Sequence, residues 1–189
     1  MNTNKRIKQS TILLMFALLQ ACATSAPPPD TFYYVLDPTP KSFAVKNTET
    51  EIKILPVSLP DYMNQPNLVI KLSDHQIKIT NYHYWADDLR QSVQRVVINE
   101  LNQLNDTINF TQQCRNCINV DISIDHYYPT EGGDVLLAGT YVIIGTNAKQ
   151  NINSFSYSTS LSEGGFEESV SKMRELLDVL STDINNNLL

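Results

Sequence analysis

Cysteine is the residue type with the most chemistry to offer in this chain, and its three copies fall in two settings. Cys114 and Cys117 form a C-x-x-C pair in "CRNC". Such a pair can exchange thiol for disulfide or supply half of a zinc site. Exchange needs a lowered thiol pKa, which a helix N-terminus directly after a strand provides. Here the pair lies in a loop between two expected strands, "TINFT" and "INVDISIDH", so no helix dipole is at hand. A zinc site needs two further ligands, and the neighbourhood offers none. The expectation is a local Cys114–Cys117 disulfide that pins the loop in an oxidising compartment, with free thiols and a redox or metal role as the alternatives. Elsewhere the sequence holds no GxSxG, no Gly-rich phosphate loop and no HExxH. His75, His83 and His126 fall in different expected elements. Asp121 and Asp125 share a strand face by alternation alone, and solvation accounts for them. No catalytic residue, metal site or cofactor is expected, and the chain reads as a non-enzyme.

The third cysteine, Cys22, closes the run "LLQAC". The uninterrupted apolar stretch before it, Ile12 to Leu19, is too short to cross a bilayer, which takes roughly 20 residues of helix. Lys5, Arg6 and Lys8 precede it and Ala21 ends it, the order of a secretory signal peptide covering residues 1–21. Leu19-Gln20-Ala21-Cys22 resembles a bacterial lipobox, with Gln20 a less usual choice. That resemblance implies an acylated Cys22 thiol, cleavage before Cys22 and acylation of the new amino group, palmitate being the typical chain. One acyl chain anchors only marginally, whereas several anchor durably. Ala23 and Thr24 follow in place of the aspartate that retains such lipoproteins at the inner membrane. The implied location is the periplasmic face of the outer membrane; a plain secreted chain is the alternative.

Removing residues 1–21 takes away three of 14 basic residues and none of 20 acidic ones, so 11 − 20 leaves a charge of −9. That sign disfavours nucleic acid and anionic headgroups as direct partners and suits protein partners. Residues 22–31 hold the lipidated cysteine and a tether, "ATSAPPPDT". At about 3.1 Å per residue in an extended proline-rich course, its nine residues reach roughly 28 Å. Residues 32–189 are long enough for one domain with a proper core, and no second composition break divides them.

Within that domain "TFYYVLD", "EIKILPVSLP", "NLVIKL" and "QIKIT" read as four strands, the last two forming a hairpin across Ser73-Asp74-His75. In "ADDLRQSVQRVVINELNQL" the positions Leu89, Val93, Val96, Val97, Leu101 and Leu104 follow the helical period. Asp87 and Asp88 stand where the helix dipole favours carboxylates. "TINFT" is a short strand. "INVDISIDH" alternates, with Ile118, Val120, Ile122 and Ile124 on one face. "VLLAGTYVIIGT" is apolar at both parities and reads as a central strand covered on both faces, and "NSFSYSTSL" as a more polar one. A second helix follows Gly164-Gly165, with Val170, Met173, Leu177, Leu180 and Ile184 making an apolar stripe suited to the core. The expected class is α+β, a mainly antiparallel sheet packed by two amphipathic helices in the order ββββ-α-ββββ-α.

Three stretches, "YYVLDP", "ILPVSLPDYMNQPNLVIK" and "YHYWADDLRQSVQRVVINEL", together resemble the PqiC family of ABC-type transport auxiliary lipoproteins, from about Thr31 to Leu161. The chain departs from the family pattern at Asn64 and Gln65, where a charged pair is usual, and at Asp88, where proline is usual. The resemblance implies a lipoprotein companion of an intermembrane lipid-transport system that supports membrane integrity. Its partner would be an MCE-domain protein rooted in the inner membrane, whose hydrophobic tunnel it meets at the outer membrane, with a homo-oligomeric ring as one arrangement. Two further classes stand beside this one: a lipoprotein regulator of a periplasmic cell-wall synthase and, last, a thiol-disulfide oxidoreductase. Partner contact is assigned to Tyr62 and Met63, placed together in the low-charge loop "LPDYMNQPN", and to Trp85. The competing reading folds that loop back on its own sheet and packs Trp85 against the following helix.

Overall fold

The computed structural model describes residues 27–36, 48 and 50–188. By internal contacts the chain divides into residues 1–30 and 31–189. Of the first unit, Pro27 to Asp30 are described; they are exposed and without regular structure, as three ring-fixed φ angles and three missing N–H donors dictate.

The second unit runs β1 (Phe32–Tyr34), β2 (Thr50–Ile54), β3 (Asn67–Ser73), β4 (Gln76–Trp85), α1 (Leu89–Leu104), β5 (Ile108–Thr111), β6 (Ile118–Pro129), β7 (Asp134–Ile144), β8 (Gln150–Ser160) and α2 (Phe166–Leu188). The order ββββ-α-ββββ-α is the expected one. The strands form two sheets, β1-β4-β3 and β5-β2-β6-β7-β8. Both are mixed: β2 runs parallel to β5 and β6, and β1 parallel to β4, while β3–β4, β6–β7 and the long β7–β8 pairing are antiparallel, so the sheets are mainly antiparallel as expected, though not purely so. The reason lies in the connections. From β2 the chain passes through a hairpin and α1 before it returns as β5, a crossover long enough to bring strands back in the same direction. Where the turns are short the pairing is antiparallel, as at β3–β4, whose register closes Ser73 on Gln76 around Asp74-His75, and in β6–β7–β8.

The sequence patterns explain the packing. Leu89, Val93, Val96, Val97 and Leu101 of α1 are buried, while Leu104, in the last turn, is half exposed. Asp88 is the N-cap: its carboxylate accepts the Gln91 N–H at 3.1 Å. Asp87 instead pairs with Arg95 at 2.9 Å. On α2 the whole stripe from Val170 to Ile184 is buried. Each such aliphatic side chain contributes about 1.5–3 kcal/mol on removal from water.

On β6 the alternation holds through Ile124 and then shifts at a bulge between Ile124 and His126, so that Tyr127, Tyr128 and Pro129 are all buried. Opposite the bulge stands Gly139, where a Cβ would lie 2.1 Å from the Ser123 carbonyl oxygen and 2.9 Å from the Ile124 Cα. Only glycine fits that approach. β7 is internal, but its burial alternates: Val135, Leu137 and Tyr141 are sealed, while Leu136, Thr140 and Val142 keep part of their surface. Its second face is therefore partly covered, not sealed as its double apolar parity suggests.

Candidate functional site

β1 is three residues long and carries aromatics at all three, so its two faces cannot divide into core and water in the usual way. Phe32 stands in register with His83 of β4 and Tyr34 with Trp85. The Phe32 and His83 rings stack with centroids 5.5 Å apart, and Tyr34 shares a 2.8 Å hydrogen bond with His83 Nδ1. On its other side His83 stacks on Phe166, the first residue of α2, at 3.6 Å. Tyr33, on the opposite face of β1, stacks on Tyr84 at 5.6 Å.

The turn into α2 is shaped by Gly164 (φ 79°) and Gly165 (φ 98°), both left-handed. Glu168 of the first turn folds back over this bend. Its carboxylate accepts the backbone N–H groups of Ser162, Glu163 and Gly164 at 2.6, 2.9 and 2.7 Å. These bonds hold its pKa below the usual carboxylate range. The helix start is thereby fixed, and with it the position of Phe166.

Between β1 and the first turns of α2 lies an open groove of about 860 Å³. Leu36 and Val170, at 1% and 6% exposure, form its floor. Phe32, Tyr33 and Val35 form a wall at 49%, 69% and 48% exposure. Burial, then the Glu167 charge, raises the Tyr34 pKa, and burial lowers that of His83. Tyr34 is thus a neutral phenol and His83 favours the neutral imidazole. Arg174 reaches the groove, but its guanidinium is engaged by Glu100 of α1 and by Asp178. The arrangement can hold an apolar chain or face.

The residues singled out by sequence lie elsewhere. Cys22 is outside the described residues. Cys114 and Cys117 are joined in the β5–β6 loop with Cα atoms 6.3 Å apart, and no helix begins there. Met63 and Trp85 are core residues, at 2% and 7% exposure. That corrects their assignment to a contact surface: the "LPDYMNQPN" loop folds back, Met63 drops into the core, and Trp85 ends β4 beside buried Leu89. Tyr62 is half-buried, and its hydroxyl donates to the Asp125 carbonyl at 3.1 Å. Burial raises its pKa, as does the Asp125 charge, against a lowering by its bond to Tyr128. His126 bonds Tyr128 at 2.6 Å, and His75 is exposed in the β3–β4 turn. Among the described residues no group of three or more His, Cys, Asp or Glu is placed to hold a metal ion, and no helix is long and apolar enough to cross a membrane. The groove residues Phe32, Val35 and Phe166 escaped the sequence reading. The one signal was the unbroken aromatic run of "TFYYVLD", too apolar for a strand with a wet face.

Comparison with known proteins bears on this fold as a whole. The family model of the ABC-type transport auxiliary lipoprotein component matches residues 34–185, from the end of β1 to the last turn of α2. The chain belongs to this family. The auxiliary lipoprotein shares its fold with an uncharacterized protein of known crystal structure, at TM-score 0.76 and 17% identity, covering 85% of this chain and 100% of that one. It is also similar to protein XCC0632 from Xanthomonas campestris, of family DUF330, at TM-score 0.65 and 10% identity, covering 82% and 92%. A PelC dodecamer from Paraburkholderia phytofirmans is more distant, at TM-score 0.40 and 11% identity over 75% and 94% of the two chains, and carries no argument here. No curated protein matches the chain. The PqiC-like resemblance carried by "YYVLDP" and the two longer stretches therefore holds.

Proposed function

We propose that this auxiliary lipoprotein is a non-enzymatic, outer-membrane-anchored subunit of an MCE-type intermembrane lipid-transport system, docking or completing the transport tunnel at its distal end and so supporting membrane integrity. The observation that carries the reading is the family match across both sheets and both helices. The lipobox at Cys22, with Ala23 and Thr24 behind it, supports the anchor and the outer membrane. The charge of −9 supports a protein partner over an anionic lipid surface. Tyr62 remains the candidate contact, flanked by exposed Asp61 and Asn64 on a loop held against the rigid β6. Cys114 and Cys117 serve as a disulfide that pins the β5–β6 loop.

Two measurements test this. Fatty acid label fed to cells reaches the wild type and not Cys22→Ser; label in the mutant overturns the anchor. Affinity purification of the lipidated protein from membranes brings down an MCE-domain protein, and Tyr62→Ala weakens that association by about 1–3 kcal/mol, the range of an interface anchor. Recovery of a cell-wall synthase in its place assigns the protein to regulation of that enzyme.

A further inference from the structure

We propose that the groove between β1 and the first turns of α2 takes the acyl tail of a lipid from the bilayer in which the protein is anchored. The inference rests on the reading of Cys22 as the lipid anchor and adds a second, non-covalent membrane contact.

The first support is the chemistry of the cavity. Its floor is aliphatic (Leu36, Val170), its wall is aromatic and aliphatic (Phe32, Tyr33, Val35), and its volume of about 860 Å³ lies within the roughly 300–1,000 Å³ of small-ligand sites. Phe32 and Val35 are half exposed and Tyr33 more than half. Side chains of this kind, apolar in body and polar at the tyrosine tip, suit the boundary between water and hydrocarbon.

The second is position along the chain. The groove wall begins at Phe32, and only the nine residues Ala23 to Thr31 separate it from Cys22. Even fully extended they span roughly 28 Å, so the wall is the part of the domain that the anchor holds nearest to the bilayer along the chain.

The third is charge, which selects the tail over the headgroup. Glu167 stands at the rim, and Arg174, the one Lys or Arg among the described residues that reaches the groove, is engaged by Glu100 and Asp178. Among the described residues a phosphate thus finds no available Lys or Arg there, whereas a hydrocarbon chain needs none.

The test uses the full mature lipoprotein reconstituted in phosphatidylcholine vesicles that contain a minor fraction of phosphatidylcholine with a diazirine in its acyl chain. After irradiation, label is located by peptide mass spectrometry. The expected result is label concentrated on residues 32–36 and 164–171. It should fall at least fivefold in Ser171→Trp, which fills the groove from an exposed position, with melting temperature and vesicle attachment unchanged. Label absent from both segments, or undiminished in Ser171→Trp, overturns the proposal. So does labelling of these segments by the protein's own acyl chains, when the diazirine is fed to cells as fatty acid and the vesicles are plain; so do cross-links between copies through β1. The vesicles contain no transport partner, so failure here speaks against the groove alone, while failure of the affinity purification speaks against the transport reading alone.

Discussion

α2 carries an aromatic cluster at each end, and the two are finished in opposite ways. At its C-terminal end Tyr141, Phe155 and Tyr157 stack across β7 and β8, with centroids 6.2 and 5.6 Å apart. Asp183 closes this stack by accepting from both hydroxyls, at 3.1 Å from Tyr141 and 2.8 Å from Tyr157, and Asn187 adds a bond to Tyr141 at 3.0 Å. Burial first, then the Asp183 carboxylate, pushes both phenols far above their ordinary pKa, so they remain donors. At the N-terminal end Phe32, Tyr34, His83 and Phe166 pack together as well, but what α2 brings to them is the Phe166 ring on His83, and the wall of β1 stands open. Aromatic packing alone therefore does not distinguish a structural contact from a site. The distinction comes from what the helix places above the rings: a carboxylate and an amide at one end, a solvent-facing groove at the other.

Four perturbations, in falling order of effect, break or sharpen this contrast. Leu177 is fully buried near the middle of α2, and Leu177→Ala should cost about 2–5 kcal/mol in denaturant unfolding, as a core cavity does, loosening both ends together. Asp183→Ala strands two hydroxyls and should cost about 1–3 kcal/mol; Asp183→Asn, which keeps an acceptor, should cost clearly less. Phe166→Ala removes one stacking partner from the open end and should cost about 0.5–1.5 kcal/mol of pair energy while removing most acyl labelling of the groove. If its melting temperature falls as far as that of Asp183→Ala, the open cluster is structural as well and the contrast fails.

The smallest effect is that of pH, and it has opposite signs at the two ends. His83 has a folded-state pKa below its ordinary value. Its contribution is complete above pH 6.5 and fades as the pH falls through the folded value, so acid loosens the groove end. Tyr141 and Tyr157 have raised values, so their contribution is complete below pH 10 and fades as the pH rises through the folded values, and alkali loosens the closed end. Amide exchange along α2 resolves the two: faster exchange near Phe166 in mild acid and near Asp183 in strong alkali is expected, and uniform change along the helix would remove the distinction.

Periodicity alone placed both helices, because the stripes Leu89 to Leu101 and Val170 to Ile184 record which side faces the core whatever the core turns out to be. The hairpin at Asp74-His75 and the alternation of β6 up to Ile124 were legible for the same local reason. So were the cap at Asp88 and the family resemblance, each carried by a few adjacent residues. Strand direction was not legible, since β2 runs parallel to β5 and β6 through a crossover whose closure depends on α1 packing. Met63 and Trp85 were misplaced because a loop of mixed polarity does not show which of its side chains turns inward; that depends on where β6 and α1 stand. The groove lay furthest from view. It joins Phe32, His83 and Phe166, which are separated by 51 and 83 positions along the chain, and no local pattern links residues so distant. The amino-acid order by itself determined the elements and their buried faces, which are local chemistry and period. Only the tertiary structure decided which of the tyrosines and phenylalanines among the described residues are sealed by a partner and which are left facing solvent, because that depends on the polar group that long-range packing brings above each ring.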